Sequence, residues 1–126
     1  MGKINNVITI PTSTDGNFVK YWFEFLKPFH RLANREIGVL AAFVKERYKL
    51  SKVISDPELL DKITMGEDTK RKVREECNLS QTHFQAIMTR LKKSKVIDNG
   101  KINPKFIPRL DGDDKNFQLL LSFDLK

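Results

Sequence analysis

The stretch from Asn78 to Phe106 limits the possible folds of this chain more than any other. Four apolar residues in it follow the i, i+3, i+4, i+7 spacing of an amphipathic helix: Phe84, Ile87, Met88 and Leu91. The pair Asn99-Gly100 comes soon after this helix. It favours a type I′ turn, because both central residues of that turn need a positive φ. The stretch therefore predicts a helix over 80–94 and a tight hairpin with arms at 96–97 and 101–102.

Two longer helices are predicted upstream. Apolar residues at helical spacing predict a helix over Phe18–Leu26, interrupted by Pro28. Its expected core face is Phe18, Tyr21, Trp22, Phe25 and Leu26. Asn34 is the expected N-cap of a second helix, which runs to about Lys49. The expected buried stripe of that helix is Ile37, Leu40, Ala41, Val44 and Tyr48.

Two shorter helices follow before the opening stretch. Asp56-Pro57 is a strong start signal for a helix over Glu58–Met65, which Gly66 ends. Asp68 or Thr69 then starts a basic helix that runs to Cys77, with Val73 and Cys77 facing inward. The turn 78–80 leads to Ser80, the predicted N-cap of the amphipathic helix.

The two ends of the chain are predicted to be extended. Residues 4–10 form an expected strand that Pro11 ends, and residues 12–17 form a loop. Residues 117–125 alternate between apolar and polar, as in a half-buried strand. This strand would pair with the N-terminal strand or with a partner chain.

Together these elements predict a mostly α fold with short β elements (α+β), in one domain over 1–126. A short basic helix, a turn, an amphipathic helix and a two-stranded hairpin form the layout of a winged helix-turn-helix. The domain divides into an N-terminal strand and loop (1–17), lead-in helices (18–68), the helix-turn-helix and wing (69–109) and a C-terminal strand (110–126).

The charge of the chain is concentrated in one segment. The net charge is +7, and residues 69–109 hold 11 Lys plus Arg against 3 Asp plus Glu. The remaining residues hold 12 basic and 13 acidic side chains. This excess favours an acidic partner, with nucleic acid first and a membrane surface second, although a solvated basic face is the simpler interpretation. No apolar run is long enough to span a membrane, so we expect no membrane partner.

The outward side of the amphipathic helix has side chains suited to double-stranded DNA in the major groove. Gln can bond to adenine with two hydrogen bonds, and Ala allows close approach to a thymine methyl. The expected base contacts are Thr82, Gln85, Ala86 and Thr89. The expected phosphate contacts are Lys70, Arg71, Arg74, Ser80, Arg90, Lys92, Lys93, Lys101 and Lys105, with Lys72 beside them on the basic helix.

The segment TKRKVREECNLSQTHFQAIMTRLKKSKVIDNGKINPKFI resembles the winged-helix domain of plasmid and phage replication (Rep) proteins. The wing followed by Asn103-Pro104 carries part of the likeness, and FVKYWFEFLKPFHRLANREIGVLAAFVKE resembles the lead-in helices of that family. The likeness covers about Phe18 to Asp111. It implies DNA binding at a replication origin or operator, with the helix from Ser80 reading the site. The helix-turn-helix pattern itself is shared with many transcription regulators.

The chain departs from this family in three places. Lys95 stands where a glycine commonly ends the recognition helix in a left-handed conformation. The wing is very short. The apolar strand at 117–125 is not a feature of the family, and it raises the weight of a homodimer or a larger assembly.

Other function classes find less support in the sequence. An enzyme is not expected, because no motif pairs His30 or His83 with Cys77. Cys77, the one cysteine, is expected to be a buried small apolar residue. A single cysteine suits a reducing compartment. The expected location of the protein is the cytoplasm of a bacterial or phage-infected cell, with the virion as an alternative. The acidic run Asp111–Asn116 lacks the spacing of a calcium loop, so no metal and no cofactor are expected. The alternative function is a structural component of a phage particle or other complex, with the winged-helix module used for protein contacts.

Overall fold

A computed structural model describes residues 10–11, 18–108 and 125, with only the backbone of 28–30. These residues form a mostly helical α+β arrangement of five α-helices and one small antiparallel hairpin. The elements are α1 (Phe18–His30), α2 (Asn34–Ser51), α3 (Pro57–Thr64), α4 (Glu67–Glu76), α5 (Gln81–Lys93), β1 (Ile97–Asp98) and β2 (Lys101–Ile102), followed by a 3₁₀ turn (Pro104–Phe106). The predicted strand at 4–10, loop at 12–17 and strand at 117–125 lie outside the described residues, except for Ile10 and Leu125.

Helix α1 is longer than predicted, because Pro28 does not interrupt it. A proline removes one backbone donor, and near the end of a helix this loss affects a single hydrogen bond. The helix ends at His30, and the next residue, Arg31, has a φ of 53°. The Arg31 N–H bonds to the Lys27 carbonyl at 2.9 Å, so this left-handed residue closes the last turn.

The buried face of α1 is rotated from the predicted one. Val19 and Phe23 are fully buried, and Phe18, Trp22 and Leu26 pack along the edge of the core. Tyr21 and Phe25 were expected inside, but they are 47% and 41% exposed. Both the predicted face and the observed face have helical spacing. The predicted face consists mainly of aromatic residues and does not include Val19. Its neighbours in the fold, not its periodicity, decide which face is inside.

Helix α2 begins one residue earlier than predicted, since Ala33 and not Asn34 occupies the N-cap. The Glu36 carboxylate accepts a hydrogen bond from the Ala33 N–H at 3.3 Å, which satisfies a free donor at the helix start. The Asn34 side chain instead accepts from Lys27 of α1. The start of α2 is thus tied to the preceding helix.

The core is arranged around α2, which contacts α1, α3, α4 and α5. Ile37, Leu40 and Val44 are buried as predicted, while Ala41 and Tyr48 are only partly buried. Three further residues of α2 are buried: Val39, Ala42 and Phe43. A helix with neighbours on several sides buries more than one stripe, and a single predicted stripe therefore missed them.

The end of α3 packs against the start of α4. Asp56 caps α3 as predicted, accepting a hydrogen bond from the Glu58 N–H at 3.3 Å. Gly66 is the N-cap of α4, which starts at Glu67, one residue before the predicted start. A Cβ on Gly66 would lie 3.1 Å from the Ile63 carbonyl oxygen, so this glycine permits a close approach. The Thr69 hydroxyl donates to the same Ile63 carbonyl at 3.1 Å.

Helix α5 has the predicted boundaries and core face. The Ser80 hydroxyl accepts from the His83 N–H at 3.1 Å, and Phe84, Ile87, Met88 and Leu91 are buried. At the other end, Lys95 has a φ of 63°, the left-handed conformation expected for this position. The Val96 N–H bonds to the Leu91 carbonyl at 3.0 Å, and the Lys95 N–H bonds to the Lys92 carbonyl at 3.2 Å. This pair of bonds is a Schellman motif, which ends α5 sharply.

The hairpin has the predicted type I′ turn, with φ of 55° at Asn99 and 73° at Gly100. Ile97 pairs with Ile102 and Asp98 with Lys101. Strand β1 is therefore 97–98 and not the predicted 96–97. Val96 still contributes, because its carbonyl accepts from the Asn103 N–H at 2.8 Å.

Asn103 connects the hairpin to the end of α5. Its amide nitrogen donates to the Lys95 carbonyl at 3.3 Å, and its amide oxygen accepts from the Lys105 N–H at 3.3 Å. The 3₁₀ turn that follows buries Phe106, whose carbonyl accepts from Trp22 Nε1 of α1 at 2.9 Å. These bonds fix the hairpin and the chain after it against the helical core.

We expect Lys95→Gly to raise the free energy of unfolding by about 0.5–1 kcal/mol, because glycine removes the left-handed strain at some cost in chain entropy. Urea unfolding followed by Trp22 fluorescence measures this change. The matched control is Lys92→Gly in the last turn of α5, which should lower the free energy of unfolding by up to about 1 kcal/mol. Equal destabilisation by both substitutions would contradict the account of the helix end.

Candidate nucleic-acid interface

The side of α5 that faces away from the core is exposed along its whole length. Thr82, Ala86, Thr89 and Lys93 lie at i, i+4, i+7 and i+11, opposite the buried residues, and each is exposed. Gln85 is also exposed and lies beside this row. We call these five residues the outer face of α5. Within the part of the chain that the structure describes, no other element covers them.

Hydrogen bonding within the helix leaves most of this face available. The Thr89 hydroxyl donates to the Gln85 backbone carbonyl at 2.9 Å. Its oxygen keeps acceptor capacity toward solvent. The Gln85 side-chain amide makes no hydrogen bond to any residue in 18–108. One amide with both donor and acceptor atoms therefore stands free beside a row of small and basic side chains.

The residues predicted to contact phosphate fall into two groups. Five basic side chains are well exposed: Arg71, Arg90, Lys92, Lys93 and Lys105. Three are partly buried: Lys70, Arg74 and Lys101. Ser80 is exposed, but its hydroxyl oxygen caps α5. A phosphate contact by Ser80 would have to use its hydroxyl proton.

Several of these basic side chains already have partners. Arg71 lies 3.5 Å from Asp68, and Lys70 lies 3.9 Å from Glu67, both with exposed acids one turn earlier. Such surface pairs contribute about 0–1 kcal/mol, so a phosphate can replace them. Arg74 donates to the Leu79 carbonyl at 3.5 Å and supports the turn before α5.

Arg90 is oriented toward α2. Its Nε lies 3.8 Å from a Glu36 carboxylate oxygen, and the Glu36 side chain is only 12% exposed. Glu36 also accepts from the Ala33 N–H, so the carboxylate is held in place. Arg90 therefore occupies the edge of α5 next to α2 and not the centre of the outer face.

The outer face has no acidic residue on its own helix. Residues 69–109 include only Glu75, Glu76 and Asp98 as acids, and Glu76 pairs with Lys45 at 2.9 Å. Basic side chains therefore outnumber acidic ones in this segment, a charge balance that suits a polyanionic partner.

A groove that the sequence prediction missed lies beside the start of α5. It has a volume of about 460 Å³ and is lined by Arg35, Gly38, Cys77, Asn78, Leu79 and His83. Two segments far apart in sequence form it: the first turn of α2, and the turn after α4 together with the first turn of α5 that follows it. Its one sequence signal is Gly38, a glycine inside an otherwise regular helical pattern.

Cys77 lines this groove and is only partly buried. Its Sγ lies 3.6 Å from the Gly38 carbonyl oxygen. Burial raises the pKa of the Cys77 thiol above its ordinary value, the Glu76 carboxylate raises it further, and Lys45 opposes both. The neutral thiol is therefore favoured, which disfavours Cys77 as a nucleophile.

The described residues contain neither a candidate metal site nor a candidate membrane span. No group of three or more His, Cys, Asp or Glu side chains there is placed to hold a metal ion. No helix there combines the length and apolar character needed to cross a bilayer. The acidic run at 111–116 lies outside the described residues.

Comparisons with known protein families, with curated proteins and with solved structures find no match to this chain.

We expect Cys77 to react with iodoacetamide more slowly than an unhindered thiol at pH values near the ordinary cysteine pKa, because less thiolate forms. Glu76→Gln should lower the pKa of the thiol and speed the reaction, and Lys45→Met should raise the pKa and slow it. Alkylation rates over a pH series measure both shifts. Rates that respond to neither substitution would show that these charges do not act on the thiol.

Proposed function

We propose that this chain is a winged helix-turn-helix protein that binds double-stranded DNA, with the recognition helix 80–94 in the major groove. The observation that carries the proposal is the exposed, acid-free outer face of α5, within a segment of 11 basic and 3 acidic residues. A surface that contacts only solvent requires neither this excess of basic over acidic residues nor a helix held between a tight turn and a hairpin.

The dimensions and chemistry of α5 support major-groove binding. Its 13 residues make a rod about 20 Å long, and the major groove admits one helix. Gln85 can form two hydrogen bonds with an adenine edge, and Ala86 can contact a thymine methyl. Thr82 and Thr89 offer hydroxyl groups to base edges or phosphates. These four are the proposed base contacts.

Basic side chains on three elements would contact the phosphates on either side. They belong to α4 (Lys70, Arg71, Arg74), to α5 (Arg90, Lys92, Lys93, with Ser80 at its cap) and to the hairpin and the turn after it (Lys101, Lys105). Contacts of this kind determine the affinity of the protein for DNA and its register on the duplex. They also make the affinity fall steeply as the salt concentration rises. Since Arg74 and Arg90 already bond to Leu79 and Glu36, we expect the smallest share from them.

The process served by this binding is part of the proposal. The resemblance to plasmid and phage replication proteins favours replication initiation, and the helix-turn-helix layout equally suits transcription regulation. A cytoplasmic location and a homodimer through 117–125 belong to the same hypothesis. Both processes require sequence-specific binding, so the test addresses that property.

Duplex DNA binding by fluorescence anisotropy, over a salt series and after selection of a preferred sequence, tests the proposal. Gln85→Ala should cost about 1–3 kcal/mol on the preferred site and relax specificity at one base pair. Lys93→Ala should weaken binding to all sequences alike and reduce the salt slope by about 1.

Lys62→Ala is the matched control, because it removes one exposed charge from α3. Equal loss on every sequence for Gln85→Ala would remove Gln85 from base recognition. No binding by the wild-type protein at low salt, where non-specific attraction is strongest, would refute the proposed function.

A second candidate function is an assembly component that makes protein contacts. It is favoured by exposed apolar residues on and before α3: Val53 at 82%, Leu59 at 45% and Ile63 at 37%. Leu59 and Ile63 are one turn apart and form a short apolar strip. Single exposed apolar residues are ordinary, and three that lie close in sequence are a modest signal.

Under this alternative, the protein self-associates as its concentration rises, and the double substitution Leu59→Ser with Ile63→Ser should abolish the association. Sedimentation velocity over a concentration series measures it. The double variant should bind DNA like the wild type if the strip serves only protein contacts. A monomer at every concentration would exclude self-association through this strip.

A further inference from the structure

Gly38 has no packing reason to be a glycine. It lies inside α2, is exposed and does not have a positive φ. A Cβ built on it meets no other atom within 4 Å. Glycine destabilises a helix interior relative to alanine, because it loses more chain entropy on folding. The fold therefore accepts a stability cost at Gly38 with no steric gain inside the protein.

Gly38 leaves its part of the groove wall without a side chain. The space around a Cβ built on it is open, so a large side chain at this position has room to enter the 460 Å³ groove. Asn78 and Leu79 of the turn after α4 and His83 of α5 line the same groove. A glycine with free space above it is how a protein lets a ligand approach its backbone closely.

The charges around the groove favour an anionic ligand. Arg35 is exposed at its rim, and no carboxylate within residues 18–108 pairs with it. Two acids directly adjoin groove residues in sequence, Glu36 next to Arg35 and Glu76 next to Cys77. Glu36 pairs with Arg90 at 3.8 Å, and Glu76 pairs with Lys45 at 2.9 Å. Asn78 and His83 add side-chain nitrogens that can donate hydrogen bonds.

We propose that this groove binds a phosphate of the DNA backbone, with Arg35 as the principal contact and Gly38 providing the space. This inference rests on the proposed function and adds a contact surface to it. The proposed DNA-binding surface then includes α2 as well as α5. From the sequence, α2 was predicted only to contribute to the core and to the lead-in helices.

Continuity with the outer face of α5 favours DNA over an acidic peptide. His83 lines the groove and directly follows Thr82, a proposed base contact. A helix that lies in the major groove has a sugar–phosphate backbone along each side. The groove adjoins the side of α5 that faces α2, where one of these backbones would pass.

Two substitutions test the groove in the 126-residue chain. Arg35→Ala removes the charge, and Gly38→Leu fills the space without changing any charge. Binding to duplex DNA is measured by anisotropy over a salt series. Arg35→Ala should reduce the salt slope by about 1 and weaken all sequences alike. Gly38→Leu should weaken binding on the order of tenfold, as expected for one lost charge-assisted contact.

Matched controls separate this effect from changes in folding or total charge. Gly38→Ala also improves the helix but adds only one methyl group, so it should weaken DNA binding less than Gly38→Leu does. Lys62→Ala removes one charge far from the groove in sequence and should leave the salt slope unchanged. Thermal unfolding should show Gly38→Leu to be at least as stable as the wild type, since leucine is the better helix former.

The outcomes distinguish this inference from the proposed function. Wild-type binding that Arg35→Ala and Gly38→Leu both leave unchanged would overturn the groove contact and keep the α5 interface. Loss with Arg35→Ala and full affinity with Gly38→Leu would place the arginine contact outside the groove and overturn the role given to Gly38. No DNA binding by the wild type would overturn both proposals.

Discussion

The packing of α5 on α2 is the interaction on which the candidate interface depends. Phe43 of α2 and Phe84 of α5 are buried almost completely, and their ring centroids lie 6.4 Å apart. Truncating a buried phenylalanine typically costs about 3–5 kcal/mol, a large part of the 5–15 kcal/mol that holds a domain together. Because α2 also contacts α1, α3 and α4, the position of α5 is set by the same core that sets the rest of the described chain.

Local backbone conformations and hydrogen bonds fix the chain at the two ends of α5. Asn78, with a φ of 53°, and Lys95, with a φ of 63°, are left-handed residues that turn the chain sharply before and after the helix. The Asn103 bond to the Lys95 carbonyl adds the hairpin to this frame. A helix held in this way presents the outer face with a defined orientation, and base recognition requires such an orientation.

Features that depend on neighbours in sequence were predictable, and those that depend on neighbours in space were not. The Ser80 cap, the buried row that includes Phe84 and the Asn99-Gly100 turn are set by residues a few positions apart. The face of α1 that is buried depends instead on α2, and the sequence pattern could not choose between Val19 and Tyr21. The groove is a stronger case, since the first turn of α2 meets the segment from the end of α4 to the start of α5 only in the folded chain.

Acidic and basic side chains are concentrated in different segments of the chain. Residues 54–68, which include α3, hold five acidic and one basic side chain, whereas 69–109 hold 3 acidic and 11 basic ones. A polyanion would be attracted to the second segment and repelled by the first, so under the proposed function this charge distribution favours an approach with α5 toward the duplex. In that orientation the exposed Leu59 and Ile63 would lie on an acidic surface that DNA does not favour. A protein contact on α3 would then be compatible with DNA on α5, because the two partners require surfaces of opposite sign.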